Sequence, residues 1–144
     1  MFKKILLPLD IDYADTAAIV YKKVAKLAAL SGAEVKVVSV MPGFSMPIVA
    51  SYFSAEMRKE TAERLNAAVG EFVKQHCGES VAYTVRTGKN WEEIIKDAEE
   101  WGADLIVVHH NRQNEINEVF SQSCSQRVSD NANCSVLRLR NIRT

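Results

Sequence analysis

Two vicinal imidazoles, His109 and His110, and three thiols, Cys77, Cys124 and Cys134, are the side chains of this 144-residue sequence best suited to metal or nucleophilic chemistry. Neighbours in an extended strand point to opposite faces, so the two histidines do not converge on one ion. No Cys-x2-Cys or His-x3-His spacing accompanies them, and no metal is expected. A strand-end pair, one ring packed and one facing a cleft, is the plainer reading. Ser, His and Asp are all present, but there is no Gly-x-Ser-x-Gly elbow and no spacing that pairs a nucleophile with a base. No catalytic residue is therefore assigned, and an enzyme is not expected. Cys124 stands near an expected helix start, where a lowered pKa with redox sensitivity competes with inert packing as its role. Asp10, closing an apolar run, suits an acceptor at a helix start better than a general base.

These groups need a frame to hold them, and the alternation of apolar runs supplies one. Strands are expected over Lys4 to Leu9, Glu34 to Val40, Ser80 to Arg86, Asp104 to His109 and Cys134 to Leu139. The first and fourth are almost continuously apolar, as strands covered on both faces are, whereas the third alternates and fits a place nearer an edge. Between them lie four helical patterns. Ala17, Val20, Tyr21, Val24, Leu27 and Ala28 form one stripe, stopped by Gly32. Met57, Thr61, Leu65, Ala68, Val69 and Phe72 form a second, ending before Gly78. Asn90 with Glu93 has the spacing of a capping box for a third helix, stopped by Gly102, and Ser123 with Gln126 opens a short fourth that ends near Asn131. Five strands alternating with four helices predict a doubly wound α/β fold on a parallel sheet with right-handed crossovers.

The length fits one domain over residues 1–144, and hydrophobic and charged shares of 47% and 25% argue against disorder. Eighteen basic and eighteen acidic side chains cancel, so nucleic acid is not an expected partner. An odd count of three cysteines makes no disulfide framework, and the reduced cytoplasm is the expected compartment. The apolar stretch Ile5 to Leu7 is too short for a secretory signal, and no run approaches the ~18–20 apolar residues of a membrane span. In a doubly wound sheet, ligands sit beyond the carboxyl ends of the strands. That rule selects Pro8-Leu9-Asp10-Ile11, Val40-Met41-Pro42 and His109-His110-Asn111. The stretch from Pro42 to Phe53 is unusually apolar and reads as a lid, a partner surface or a cover over the sheet edge.

Lys3-Lys-Ile-Leu-Leu-Pro-Leu-Asp10, Gly32-Ala-Glu-Val-Lys-Val-Val-Ser-Val40, Gly102-Ala-Asp-Leu-Ile-Val-Val108 and Asn133-Cys-Ser-Val-Leu-Arg-Leu-Arg140 occur in the order found in the universal stress protein family, which the whole chain resembles. Met41 to Phe53 looks most like the small single-domain bacterial subgroup. The resemblance implies a Rossmann-like sheet ordered 3-2-1-4-5, usually a homodimer, and in one branch bound ATP. That branch carries a Gly-x2-Gly-x9-Gly-Ser/Thr pattern, whose glycines let backbone approach phosphates. Here the matching positions are His109, Arg112 and Gln122, followed by Ser123, so the three glycines are replaced and the hydroxyl is kept. The adenine-side positions, Asp10 after Pro8-Leu9, and Val40, are also kept.

The resemblance thus implies a non-catalytic cytoplasmic stress-response protein with a degenerate nucleotide cleft and no cofactor expected, acting through dimerisation and contacts with proteins the sequence does not name. Its alternative is an ATP or AMP sensor that binds through side chains, with Arg112 pairing phosphate and Ser121, Ser123 and Ser125 offering hydroxyls beside His110, Cys124 and Gln122. Weak ATP hydrolysis is the one activity left open. Strand five departs from the family pattern. Arg138 and Arg140 are expected to share one face and blunt an edge, which argues against carrying over the interface that some relatives use there.

Overall fold

The computed structural model describes residues 1–42, 54–110 and 122–140. Its strands are β1 (Lys4–Pro8), β2 (Glu34–Pro42), β3 (Ala82–Gly88), β4 (Leu105–His110) and β5 (Ser135–Arg140). Its helices are α1 (Ala14–Ser31), α2 (Ala55–His76), α3 (Asn90–Trp101) and α4 (Gln122–Asn131), with a 3-10 turn at Ile11–Tyr13. All strand pairs are parallel and the order is β3-β2-β1-β4-β5, as the family resemblance implied. The alternating third strand lies at an edge and the two apolar ones at the centre.

Period-2 alternation sends the central side chains into two layers. Ile5 and Leu7 of β1, Leu9 just after it, and Leu105 and Val107 of β4 pack beneath α1 and α2, against Val20, Val24 and Phe72. Leu6, Ile106 and Val108 pack on the other face beneath α3 and α4, against Ile94, Ala98 and Val128. Each such burial is worth roughly 1.5–3 kcal/mol, which is why the two central strands can be apolar without interruption. At the base of the sheet, Asp104 accepts the Lys3 and Lys4 amides at 2.8 and 3.0 Å, tying the start of β1 to the start of β4. The Lys4 and Lys3 N–H groups hold that carboxyl below the usual carboxylate range.

Helix ends follow local chemistry, with two corrections. α1 and α3 stop at Gly32 and Gly102, whose φ of 67° and 80° would strain any other residue. Ser54 caps α2, its Oγ accepting the Met57 N–H at 3.1 Å. Asn90, however, is not the cap of α3. β3 pairs with β2 as far as Gly88 opposite Pro42, which leaves Lys89 extended in the cap position and Asn90 as the first helical residue. Ser123 likewise lies inside α4, which already begins at Gln122.

Toward the β3 edge the α3 layer changes from apolar to ionic. Asp97 is 1% exposed, and its carboxylate lies 3.2 Å from Lys36 Nζ and 3.3 Å from Arg86 Nη1. Arg86 also reaches Glu100 at 2.9 Å and Glu93 at 3.6 Å. The Glu100 hydrogen bond, followed by the Asp97 one, raises the guanidinium's pKa against its desolvation. Removing the central carboxylate leaves two cations facing each other. Asp97→Ala is therefore expected to lower stability by about 3 kcal/mol in urea unfolding. A loss under about 0.5 kcal/mol, the range of an ordinary surface change, would refute that role.

Candidate functional site

The site begins where two neighbouring strands stop at different heights. β1 ends its ladder with the Leu9 N–H donating to the Val38 carbonyl at 2.9 Å. Asp10 then turns the chain away. Its backbone is extended, at φ −108° and ψ 108°, and its carboxylate accepts the Asp12 N–H at 3.0 Å to cap the 3-10 turn. β2 does not stop there, because β3 carries it on through Val40↔Arg86, Met41↔Thr87 and Pro42↔Gly88. Past Leu9 the β1-facing edge of β2 therefore has no strand beside it among the described residues.

Alternation fixes what that bare edge offers. The Glu34 N–H bonds the Lys3 carbonyl and the Val38 carbonyl receives the Leu9 N–H, so even-numbered residues of β2 aim their peptide groups at β1. Val40 is the next in that series. The ladder would give its N–H to the Leu9 carbonyl, but that carbonyl accepts the buried Ser39 hydroxyl at 3.1 Å. The Val40 N–H makes no such bond to Leu9, and the residue fronts a cavity of about 400 Å³. Leu9, Asp10, Ser39 and Met41 share its wall with Thr61, Arg64 and Leu65 of α2.

The stripe on α2 thus serves two purposes. Val69, Phe72 and Val73 enter the core and Leu65 packs against it while also lining the cavity, whereas Thr61 and Ala68, expected to pack with them, line the cavity, and Met57 is 49% exposed. The physical reason is height, since this part of α2 passes the end of β1 and faces Ser39, Val40 and Met41 of β2 across the cavity. Ser39 and Arg64 were not singled out from the sequence, and Thr61 enters its reading only as part of the α2 stripe. A helix longer than the strand it covers was the available signal for the last two.

Of the residues expected at the site, Leu9, Asp10 and Val40 come together on this cavity, and Pro8 is the buried residue that ends β1 opposite Val38. His109 and His110 close β4 and both are buried, at 2% and 9% exposure. Burial, then the charge of His110, pushes His109 down to about 4. Cys124 packs into the layer under α3 and α4 with Val108 and Val128, and burial pushes its thiol up to about 11. That removes the redox-sensitive reading, which needs a stabilised thiolate. Ser125 is buried and Ser123 exposed. Arg112, Ser121, the side chain of Gln122 and the segment 43–53 lie outside the described residues. Among the described residues no group of three His, Cys, Asp or Glu is placed to hold a metal, and no helix is long and apolar enough to cross a membrane.

Residues 1–140 match the sequence model of the universal stress protein family. Among solved structures the chain is similar to the hypothetical protein MJ0577, at 25% identity and a TM-score of 0.74, covering 100% of this chain and 99% of the other. It is similar to UspA of Lactobacillus plantarum, at 22% and 0.67, over 96% and 97%. It also resembles the Archaeoglobus fulgidus universal stress protein solved in complex with dAMP, at 22% and 0.57, over 94% and 96%. No curated protein matches the chain.

The depressed imidazole of His109 gives the stability a direction with pH. Between about 4, its folded value, and 6.5, its ordinary value, the unfolded chain binds the extra proton. The contribution is complete above that window and is lost as pH falls through it, reaching about 3 kcal/mol. Urea unfolding at about pH 7 and about pH 4.5 is expected to show a smaller drop for His109→Gln than for the parent. Equal drops in the two proteins would contradict the assignment.

Proposed function

Because the chain belongs to the universal stress protein family, we propose that it is a non-catalytic stress-response protein whose cleft takes an adenine nucleotide with a short phosphate chain. The observation that carries this reading is the peptide group of Val40. It offers a donor and an acceptor side by side at the wall of a cavity, with no strand opposite among the described residues. The Watson–Crick edge of adenine offers the complement, an N1 acceptor beside the N6 amino donor. A carboxylate has about four acceptor sites, so Asp10 can hold the Asp12 amide and also receive sugar hydroxyls. The dAMP held by the Archaeoglobus fulgidus protein supports the capacity of this fold for such a ligand.

The phosphate side is weaker. Where the ATP-binding branch keeps bare backbone, this chain has His109, Arg112 and Gln122, and losing a backbone nest removes several N–H contacts together. A nucleoside monophosphate loses little by that change and a triphosphate loses much. Chemistry beyond binding is not favoured by the groups nearby. A thiol at about 11 stays protonated and an imidazole at about 4 stays unprotonated at neutral pH, so neither is poised as nucleophile or acid.

In the same reading the protein is a homodimer, joined through β5. The expectation that two arginines blunt this edge is only half met. Arg140 is exposed, but Arg138 is partly buried with its Nε and Nη2 out of solvent, and Leu137 is 39% exposed on the open edge strand. The dimer supplies the surface for further protein contacts.

Titration calorimetry tests the ligand. AMP is expected to bind, with ATP within about tenfold of it, and Asp10→Ala is expected to weaken AMP by ~1–3 kcal/mol. Absence of heat with either nucleotide at millimolar concentration would overturn the nucleotide reading. Light scattering tests the assembly. A particle of twice 16.1 kDa is expected, and Leu137→Asp should return it to 16.1 kDa. A parent protein that already scatters as the smaller particle would remove the dimer.

A further inference from the structure

A parallel ladder that delivers Leu9 N–H to the Val38 carbonyl assigns its next bond to Val40 N–H and the Leu9 carbonyl. That bond is not made. Ser39, one residue earlier on β2, donates its hydroxyl to the Leu9 carbonyl at 3.1 Å instead. The placement is unusual for its residue type, because Ser39 is buried in a strand whose other buried residues, Val37, Val38, Val40 and Met41, are apolar. An alanine or valine there would leave the Leu9 carbonyl without its hydroxyl donor, and the nearest backbone replacement is the Val40 N–H. Buried carbonyls seldom go unsatisfied, so the ladder would close by one further rung. Closing it would consume the donor that faces the cavity.

We infer that Ser39 is a positioning residue for the ligand. By occupying the Leu9 carbonyl it keeps the Val40 N–H turned to the cavity and so sets the donor half of the pair that reads a nucleobase. The inference rests on the proposed adenine reading for its consequence, but not for its local geometry. It also states a selectivity. A ligand with a base presenting adjacent acceptor and donor depends on Ser39, whereas ribose 5-phosphate, which has no base, does not. Asp10, Asp12 and Arg64 are the charged side chains beside the same cavity, and none of them is altered in the variants that test the effect.

Amide hydrogen exchange in the ligand-free protein, followed residue by residue by NMR, reads the geometry, and AMP titration reads the consequence. In the parent protein the Val40 amide is expected to exchange as an unbonded N–H. In Ser39→Ala it should slow by about tenfold or more, with AMP affinity falling by about tenfold. Ser39→Thr, which keeps the hydroxyl, should restore fast exchange and binding, and ribose 5-phosphate should not distinguish parent from Ser39→Ala. A Val40 amide already protected in the parent, or unchanged by Ser39→Ala, overturns the inference whatever the affinity does. Slowed exchange with unaltered AMP affinity overturns it as well. If the parent binds no AMP at all, the adenine reading fails separately, and the exchange comparison still decides whether Ser39 holds the rung open.

Discussion

One mismatch in strand length organises this molecule. β1 stops pairing at Leu9 while β2, held by β3, continues to Pro42. A sheet normally satisfies every interior peptide group, so a central strand that outruns its neighbour creates polar backbone with nowhere to go inside the sheet. The cavity, the turn of Asp10 and the exposed upper half of α2 all follow from that difference of a few residues. Were β1 as long as β2, α2 would rest on strand for its whole length and the carboxyl end of the sheet would be closed.

The rest of the fold keeps that mismatch rigid. Two layers of aliphatic side chains clamp β1 and β4 from both faces, so neither strand can slide without moving its alternating residues to the wrong side. β2 and β3 are less apolar on the α3 face, where Lys36 and Arg86 share the Asp97 carboxylate. Lys36 Nζ also lies 5.8 Å from the centre of the Trp101 ring and Lys4 Nζ 5.2 Å, so cations of two neighbouring strands meet one indole. Buried ion pairs fix orientation more reliably than they add stability. Here they secure the pair of strands whose extension builds the site.

Much of this was legible in the residues. Continuous Val, Leu and Ile runs named the central strands, alternation named β3 as peripheral, and Gly32 and Gly102 marked helix ends at the positions that require a left-handed backbone. Less legible was anything set by tertiary pairing. Asn90 has the chemistry of a cap, but the reach of β3 gave that place to Lys89. Cys124 has the spacing of a helix-start thiol, yet which side of α4 faces the sheet decides its burial and hence its pKa. Thr61 and Ala68 fit an apolar stripe, and only the height of the strand beneath tells lining from core. Ser39 was the least visible, because a serine among valines looks like a minor polar intrusion until the carbonyl it engages is known.

The bond from Asp104 to the Lys3 and Lys4 amides spans about a hundred positions of sequence. It marks a seam between the first strand made and one made late. β1 sits at the middle of the sheet, yet its β4 side stays unfilled until most of the chain has left the ribosome. Through that interval an apolar central strand has an open flank, the kind of surface that chaperones shield and that aggregates recruit. That flank closes only when β4, Leu105–His110, has been made, and the sheet itself only with β5, Ser135–Arg140.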